Sequence, residues 1–107
     1  MFRILEKLQI APSVHMIKVD APLVARKHKP GQFIILRIKE WGERIPLTVA
    51  DADPKNGWII IYFQEVGKTT KELGLLRAGD SISDVAGPLG NPSEIRKYGT
   101  VVIVGEE

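Results

Sequence analysis

Arg44-Ile45-Pro46-Leu47-Thr48-Val49-Ala50-Asp51 gathers residue types that can hold a phosphorylated ring compound. An arginine grips a pyrophosphate through a charge-assisted fork, and a threonine hydroxyl donates to a ring nitrogen or carbonyl. A proline in a strand removes a backbone donor, which is tolerable at a sheet edge or beneath a ligand. The same residues would also make a plain edge strand with a surface arginine. In a second stretch, Gly67-Lys68-Thr69-Thr70, a glycine and two hydroxyls stand where a helix can begin, and free N–H groups with the positive helix end suit a phosphate. An ordinary capped helix uses the same residues. A third stretch, Ala86-Gly87-Pro88-Leu89-Gly90-Asn91-Pro92, is a rigid loop that either admits a ligand or merely turns.

Rival motifs fail on spacing. Gly67-Lys68-Thr69 is no triphosphate-binding loop, because Tyr62 stands where its first glycine belongs. Asp51, Asp53 and Asn56-Gly57 are spaced one residue too long for a calcium loop and lack its terminal glutamate. His15 and His28 have no partners at metal-ligand spacing, and no nucleophile with a base can be assigned. No catalytic residue and no metal ligand is therefore expected.

The elements that must position these stretches are short strands. Period-two alternation and β-branched or aromatic residues mark strands at 2–10, 14–20, 32–39, 45–50, 58–64 and 81–86, separated by Gly, Pro, Asn and Asp turns. In 32–39, Ile34, Leu36 and Ile38 share one face, which should point inward. One helix is expected at 68–76, with Leu73 and Leu76 on its inner side and Gly74 weakening it. Six short strands with one helix and no repeat suggest a small closed antiparallel barrel, since closure removes exposed edges. Residues 100–104 differ: an unbroken apolar run ending in Gly105 reads as a strand buried on both faces, the start of a second, truncated domain. The same run could instead close the barrel.

Composition narrows the function. The 107 residues suffice for one domain, and 44% apolar with 26% charged residues is ordinary for a globular chain. No apolar run approaches the ~20 residues of a membrane-spanning helix, and Met1-Phe2-Arg3 leads into alternating residues and not into a signal peptide, so a cytoplasmic address without membrane contact is expected. Charges of both signs are interspersed to a net +2, which argues against a nucleic-acid partner. With no cysteine the segment holds no iron–sulfur cluster, so redox chemistry needs an organic cofactor.

In their order and spacing, the three stretches and the terminal run resemble the flavin-binding barrel of the ferredoxin-NADP reductase superfamily. Within it they are similar to the electron-transfer subunits of NADH-dependent ferredoxin-NADP oxidoreductase, sulfide dehydrogenase and dihydroorotate dehydrogenase. The resemblance implies a mainly β, six-stranded Greek-key barrel with one short helix over 1–97, holding FAD, and the start of a truncated NAD(P)-binding domain over 98–107. It implies that Arg44 contacts the FAD pyrophosphate, that Pro46 and Leu47 support the isoalloxazine, and that Thr48 bonds near flavin N5. Tyr62 would line the adenosine side, with Gly67, Thr69 and Thr70 holding phosphate at the helix start. Ile45 departs from the pattern, since many relatives carry an arginine there, and Leu47 replaces a stacking tyrosine. NAD(P)H and a [2Fe-2S] cluster would bind outside this segment. The partner would be a catalytic or iron–sulfur subunit or ferredoxin, and the segment alone would be inactive. The reading from another class is a β-barrel module binding nucleic acid or protein, but Trp41, Trp58 and Tyr62 do not sit among Lys and Arg at strand spacing. A barrel that folds but binds nothing is the remaining reading.

Overall fold

In the computed structural model, residues 1–90 are described. The expected strand at 100–104 and the domain boundary at 97/98 lie outside them. The described chain forms β1 (Phe2–Ala11), β2 (Val14–Asp20), α1 (Pro22–Lys27), β3 (Phe33–Arg37), β4 (Arg44–Asp53), β5 (Trp58–Gln64), α2 (Lys68–Leu75), β6 (Ser81–Ile82) and β7 (Asp84–Leu89). The strands pair antiparallel in the order β6-β1-β2-β5-β4-β3-β7.

The two ends of that order are one stretch of chain. β6 pairs with β1 through Phe2–Ile82, and after the single residue Ser83, β7 pairs with β3 through Arg37–Asp84. The Ser83 N–H donates to the Ile38 carbonyl at 3.0 Å, so the bend is itself bonded to the barrel wall. The sheet thus comes close to joining itself. The strand expected at 81–86 is this bent pair, prolonged to Leu89.

Alternation places the core. Ile34 and Leu36 of β3, Ile59, Ile61 and Phe63 of β5, and Ile17 and Val19 of β2 are buried, while Phe33, Ile35 and Arg37 sit half-buried on the outer side. β4 is longer than expected. Its register shifts between Val49 and Asp51, where Ala50 bulges outward, and pairing with β5 continues to Asp53.

One helix was not expected. α1 has no side-chain cap, for Ala21 occupies its N-cap, and the proline at its first position, Pro22, is the one start signal it carries. Tertiary packing holds it instead: Ala21, Val24 and Ala25 are buried, and the Ala21 N–H donates to the Gly57 carbonyl at 2.9 Å. No described helix is long and apolar enough to cross a membrane.

Gly74, the weak point of α2 on propensity grounds, has a packing reason. A Cβ there would lie 2.9 Å from His15 Nε2 and 3.1 Å from Glu65 Oε2. His15 is buried, pairs with Glu65 and stacks on Phe63, while the Lys7 ammonium donates to the Gly74 carbonyl at 2.6 Å. Helix propensity alone predicts that Gly74→Ala stabilises by about 1 kcal/mol. The crowding reverses the sign, and a net loss of about 1–3 kcal/mol in denaturant unfolding is expected, as for an overpacked site.

His28 closes α1, its N–H donating to the Val24 carbonyl, and its Nε2 is buried without a partner among the described residues. Burial lowers its pKa from the ordinary 6.5, against a smaller opposite pull from Asp51. Both folded and unfolded chains carry it neutral well above that value. As pH falls through 6.5 the unfolded chain takes up the proton first, so stability declines until the folded histidine also titrates. Thermal unfolding from about pH 7 down to about pH 5 should show this decline, and His28→Gln should flatten it.

Candidate functional site

The outer face of β4 is built by its alternation. Ile45 and Leu47 pack against the core and Val49 is buried, which turns Arg44, Pro46 and Thr48 to the opposite side. β3 and β7 extend that face in rows. Asp84, Arg37 and Arg44 form one row, Ala86, Ile35 and Pro46 the next, and Leu89, Phe33 and Thr48 the third. Gln32 Nε2 adds a bond to the Gly90 carbonyl at 2.8 Å. The third motif stretch is thereby laid beside the first.

On its other side β4 separates from its neighbour. Pairing with β5 runs from Asp53–Trp58 only as far as Val49–Ile61, whereas pairing with β3 covers Arg44 to Thr48. β5 continues from Tyr62 to Gln64 with β2 alone as its paired strand. The two strands therefore part just where Thr48 and Tyr62 follow, and Pro46 lies along the parted edge, where its missing N–H costs no ladder bond to β5. Tyr62 is 54% exposed, so it faces the opening and not the core.

α2 follows β5 after a three-residue link, which sets its first turn at the mouth of this gap. The Thr69 hydroxyl donates to Glu43 Oε1 at 2.7 Å, which ties the helix start to the residue preceding Arg44. Thr70 is used differently. Its hydroxyl accepts from the Val66 and Gly67 N–H groups at 2.9 and 3.0 Å and donates to the Gly67 carbonyl at 3.1 Å, so it folds the turn. Gly67 has an extended backbone and nothing within 4 Å of a Cβ position, so the space beside the helix start is open. The first N–H groups of α2 have no helical acceptor.

The electrostatics are sorted by one ion pair. Arg37 and Arg44 stand opposite each other across β3 and β4. Arg37 is engaged by Asp84, with Nε at 2.7 Å and a second contact from the guanidinium. Arg44 is exposed and has no ion-pair or hydrogen-bond partner among the described residues. It is the cation left available to an anion beside the gap.

Of the residues singled out from sequence, Arg44, Pro46 and Thr48 share the outer face, Tyr62 adjoins Thr48, and Gly67 and Thr69 stand at the mouth. Leu47 is turned toward the core, which withdraws part of its side chain from that face. Sequence reasoning missed Glu43 and the Arg37–Asp84 pair. Glu43 was visible beside Arg44, but the pairing of Arg37 with Asp84 depends on strand register. For FAD the fit is favourable: an unpaired arginine, an open helix start and an apolar row at Pro46 answer its diphosphate and its ring.

No family model matches the sequence. The chain is 51% identical over 102 residues to a dihydroorotate dehydrogenase B (NAD(+)) electron transfer subunit homolog of Thermotoga maritima, covering 95% of this chain and 36% of that protein. A dihydroorotate dehydrogenase B (NAD(+)) electron transfer subunit of Fusobacterium nucleatum is 30% identical, over 94% of this chain and 40% of its own. The chain thus spans well under half the length of these curated relatives. Among solved structures, that of an NADH-dependent reduced ferredoxin-NADP oxidoreductase, studied for flavin-based electron bifurcation, matches with a TM-score of 0.84 and 48% identity, over 86% of this chain and 33% of that one. The cytochrome b5 reductase domain of Ulva prolifera nitrate reductase shares the fold alone, at TM-score 0.67 and 22% identity over 83% of this chain and 39% of that one. The chain has the ferredoxin reductase-like barrel fold and is homologous over nearly its whole length to part of these longer proteins.

Proposed function

We propose that this barrel binds FAD in the gap where β4 parts from β5, and that it serves in a subunit passing electrons between NAD(P)H and an iron–sulfur or ferredoxin partner in the cytoplasm. The observation that carries the reading is the Thr69–Glu43 bond, which brings the helix start against the strand that presents Arg44, Pro46 and Thr48. Bound FAD would supply the exchange between two-electron and one-electron transfer, as flavins do.

The chain's own residues bind and orient. Arg44 pairs with the diphosphate, unopposed because Asp84 holds Arg37. The N–H groups after Gly67 add neutral donors, the Thr69 hydroxyl holds the helix start in place through its bond to Glu43, and Thr70 acts through the turn it bonds. Pro46 offers the ring a flat apolar support, to which Leu47 adds from below, and Thr48 places a hydroxyl toward N5. Tyr62 shields the gap beside Thr48. A nicotinamide domain and a [2Fe-2S] cluster belong to the rest of the protein. The Thermotoga and Fusobacterium relatives support a dihydroorotate dehydrogenase as the alternative electron partner.

Flavin fluorescence titration of the 107-residue chain tests the site. Saturable FAD binding is expected, weakened about tenfold to a hundredfold in Arg44→Ala, as for loss of a charge-assisted contact. Thr48→Val should weaken binding less while changing the visible spectrum of the bound flavin. Wild-type affinity in Arg44→Ala, or no binding by the wild type, would overturn the assignment.

The FAD-loaded chain should oxidise NADH or NADPH no faster than free FAD does, because none of the residues given a role above holds a nicotinamide on the ring. Saturable NAD(P)H turnover in a stopped-flow assay would contradict this.

A further inference from the structure

On the inner face of β2, beside Ile17 and Val19, stands a residue that an apolar core does not call for. His15 is 3% exposed, its ring stacks on Phe63 at 5.2 Å between centroids, and its Nε2 meets the Glu65 carboxylate. A carboxylate only accepts, so the Nε2–H is the donor, and Nδ1 is left buried without a partner among the described residues. Apolar residues of similar volume in place of such a pair are commonly neutral or stabilising, so packing alone does not account for it. What distinguishes the pair is where its two members lie.

Glu65 opens the three-residue link between β5 and α2, so its position sets where the helix begins. Backbone and side chain both tie it to the β1–β2 hairpin: its N–H donates to the Ser13 carbonyl at 2.8 Å, and its carboxylate takes the His15 bond. The next two N–H groups, of Val66 and Gly67, go to the Thr70 hydroxyl, and the neighbouring Thr69 reaches Glu43. A line of hydrogen bonds thus runs from β2, through the helix start, to the residue before β4, and so spans the gap. The last turn of α2 rests on the same pair, since a Cβ on Gly74 would lie 2.9 Å from His15 Nε2 and 3.1 Å from Glu65 Oε2. An eight-residue helix is about 12 Å long, so a single pair fixes both its origin and its tilt.

We infer that His15 and Glu65 are positioning residues for the N–H groups at the start of α2: they touch no ligand and act by holding the helix start against β4. Apolar contact has no preferred direction, so an apolar pair would fill the same space while letting the link slide and the helix turn about Gly67. Donors that act together on one ligand must be held to about 0.5 Å. The consequence for binding rests on the flavin reading, whereas the placement of the helix is measurable without flavin.

Three variants test this. His15→Leu removes the donor, His15→Gln keeps an N–H close to the place of Nε2, and His15→Leu combined with Glu65→Leu removes both partners. In the flavin-free chain, hydrogen exchange of the Val66, Gly67 and Lys71 amides should be about threefold to tenfold faster in His15→Leu and in the double variant, the worth of one hydrogen bond, and close to wild type in His15→Gln. FAD affinity should fall by a similar factor in the same two variants and recover in His15→Gln. The double variant should keep the wild-type unfolding midpoint, which separates lost placement from lost stability and carries the test if His15→Leu fails to fold. Unchanged exchange at those amides, no recovery in His15→Gln, or faster exchange with wild-type FAD affinity overturns the inference. If the wild type binds no FAD, the flavin reading fails, and exchange alone decides whether the pair places the helix.

Discussion

Every feature of the candidate site depends on the register at which β4 stops pairing with β5. Two antiparallel strands that remain bonded present a continuous ladder with no room for a ligand; strands that part expose backbone groups and create a gap between side chains that still belong to one wall. Here they part beyond Val49–Ile61, while β3 keeps its hold on β4 as far as Arg44. The strand is thus rigidly supported along one edge and open along the other. A proline is tolerated at that edge for the same reason.

The rest of the structure keeps the gap in place. The bent β6–β7 stretch fastens β3 on its far side, so β4 cannot drift to meet β5 without disturbing the barrel seam. Gly87 enables this approach: its φ is +151°, and a Cβ there would lie 2.9 Å from Ile34 Cγ2 and 3.2 Å from the Phe33 carbonyl oxygen. α2 is held at both ends, by Glu43–Thr69 at its start and by the Lys7 contact with Gly74 near its finish. The Arg37–Asp84 pair adds an electrostatic selection. Two facing arginines would repel each other, and neutralising one leaves a single unpaired cation on the outer face of β4.

Much of this was legible in the residues. Alternation in Ile34, Leu36 and Ile38 located the inner face of β3, and the Gly67–Thr70 start of α2 was readable from its hydroxyls, because both signals are local. What escaped was non-local. α1 carries no capping side chain and exists because Val24 and Ala25 find a core to bury in. The break at Ser83 is invisible to alternation, since each half of the strand is a good strand and only the choice of neighbour changes. At the site, Arg44 and Thr48 could be marked as candidates, but nothing in their spacing revealed that β5 leaves them. Thr69 and Thr70 look alike in sequence, and only their bonds show that one faces Glu43 and the other folds the turn.

The central claim is that three stretches far apart in sequence form one flavin site along the parted edge of β4. Backbone amide shifts in two-dimensional NMR, followed as FAD is added to the isotopically labelled chain, test it most directly. The account predicts saturable perturbations concentrated at residues 43–48, 62, 67–70 and 86–90, with β1 and the paired half of β4 and β5 little affected. Perturbations centred on the outer side of β1 and β2, or confined to one of the three stretches, would contradict it.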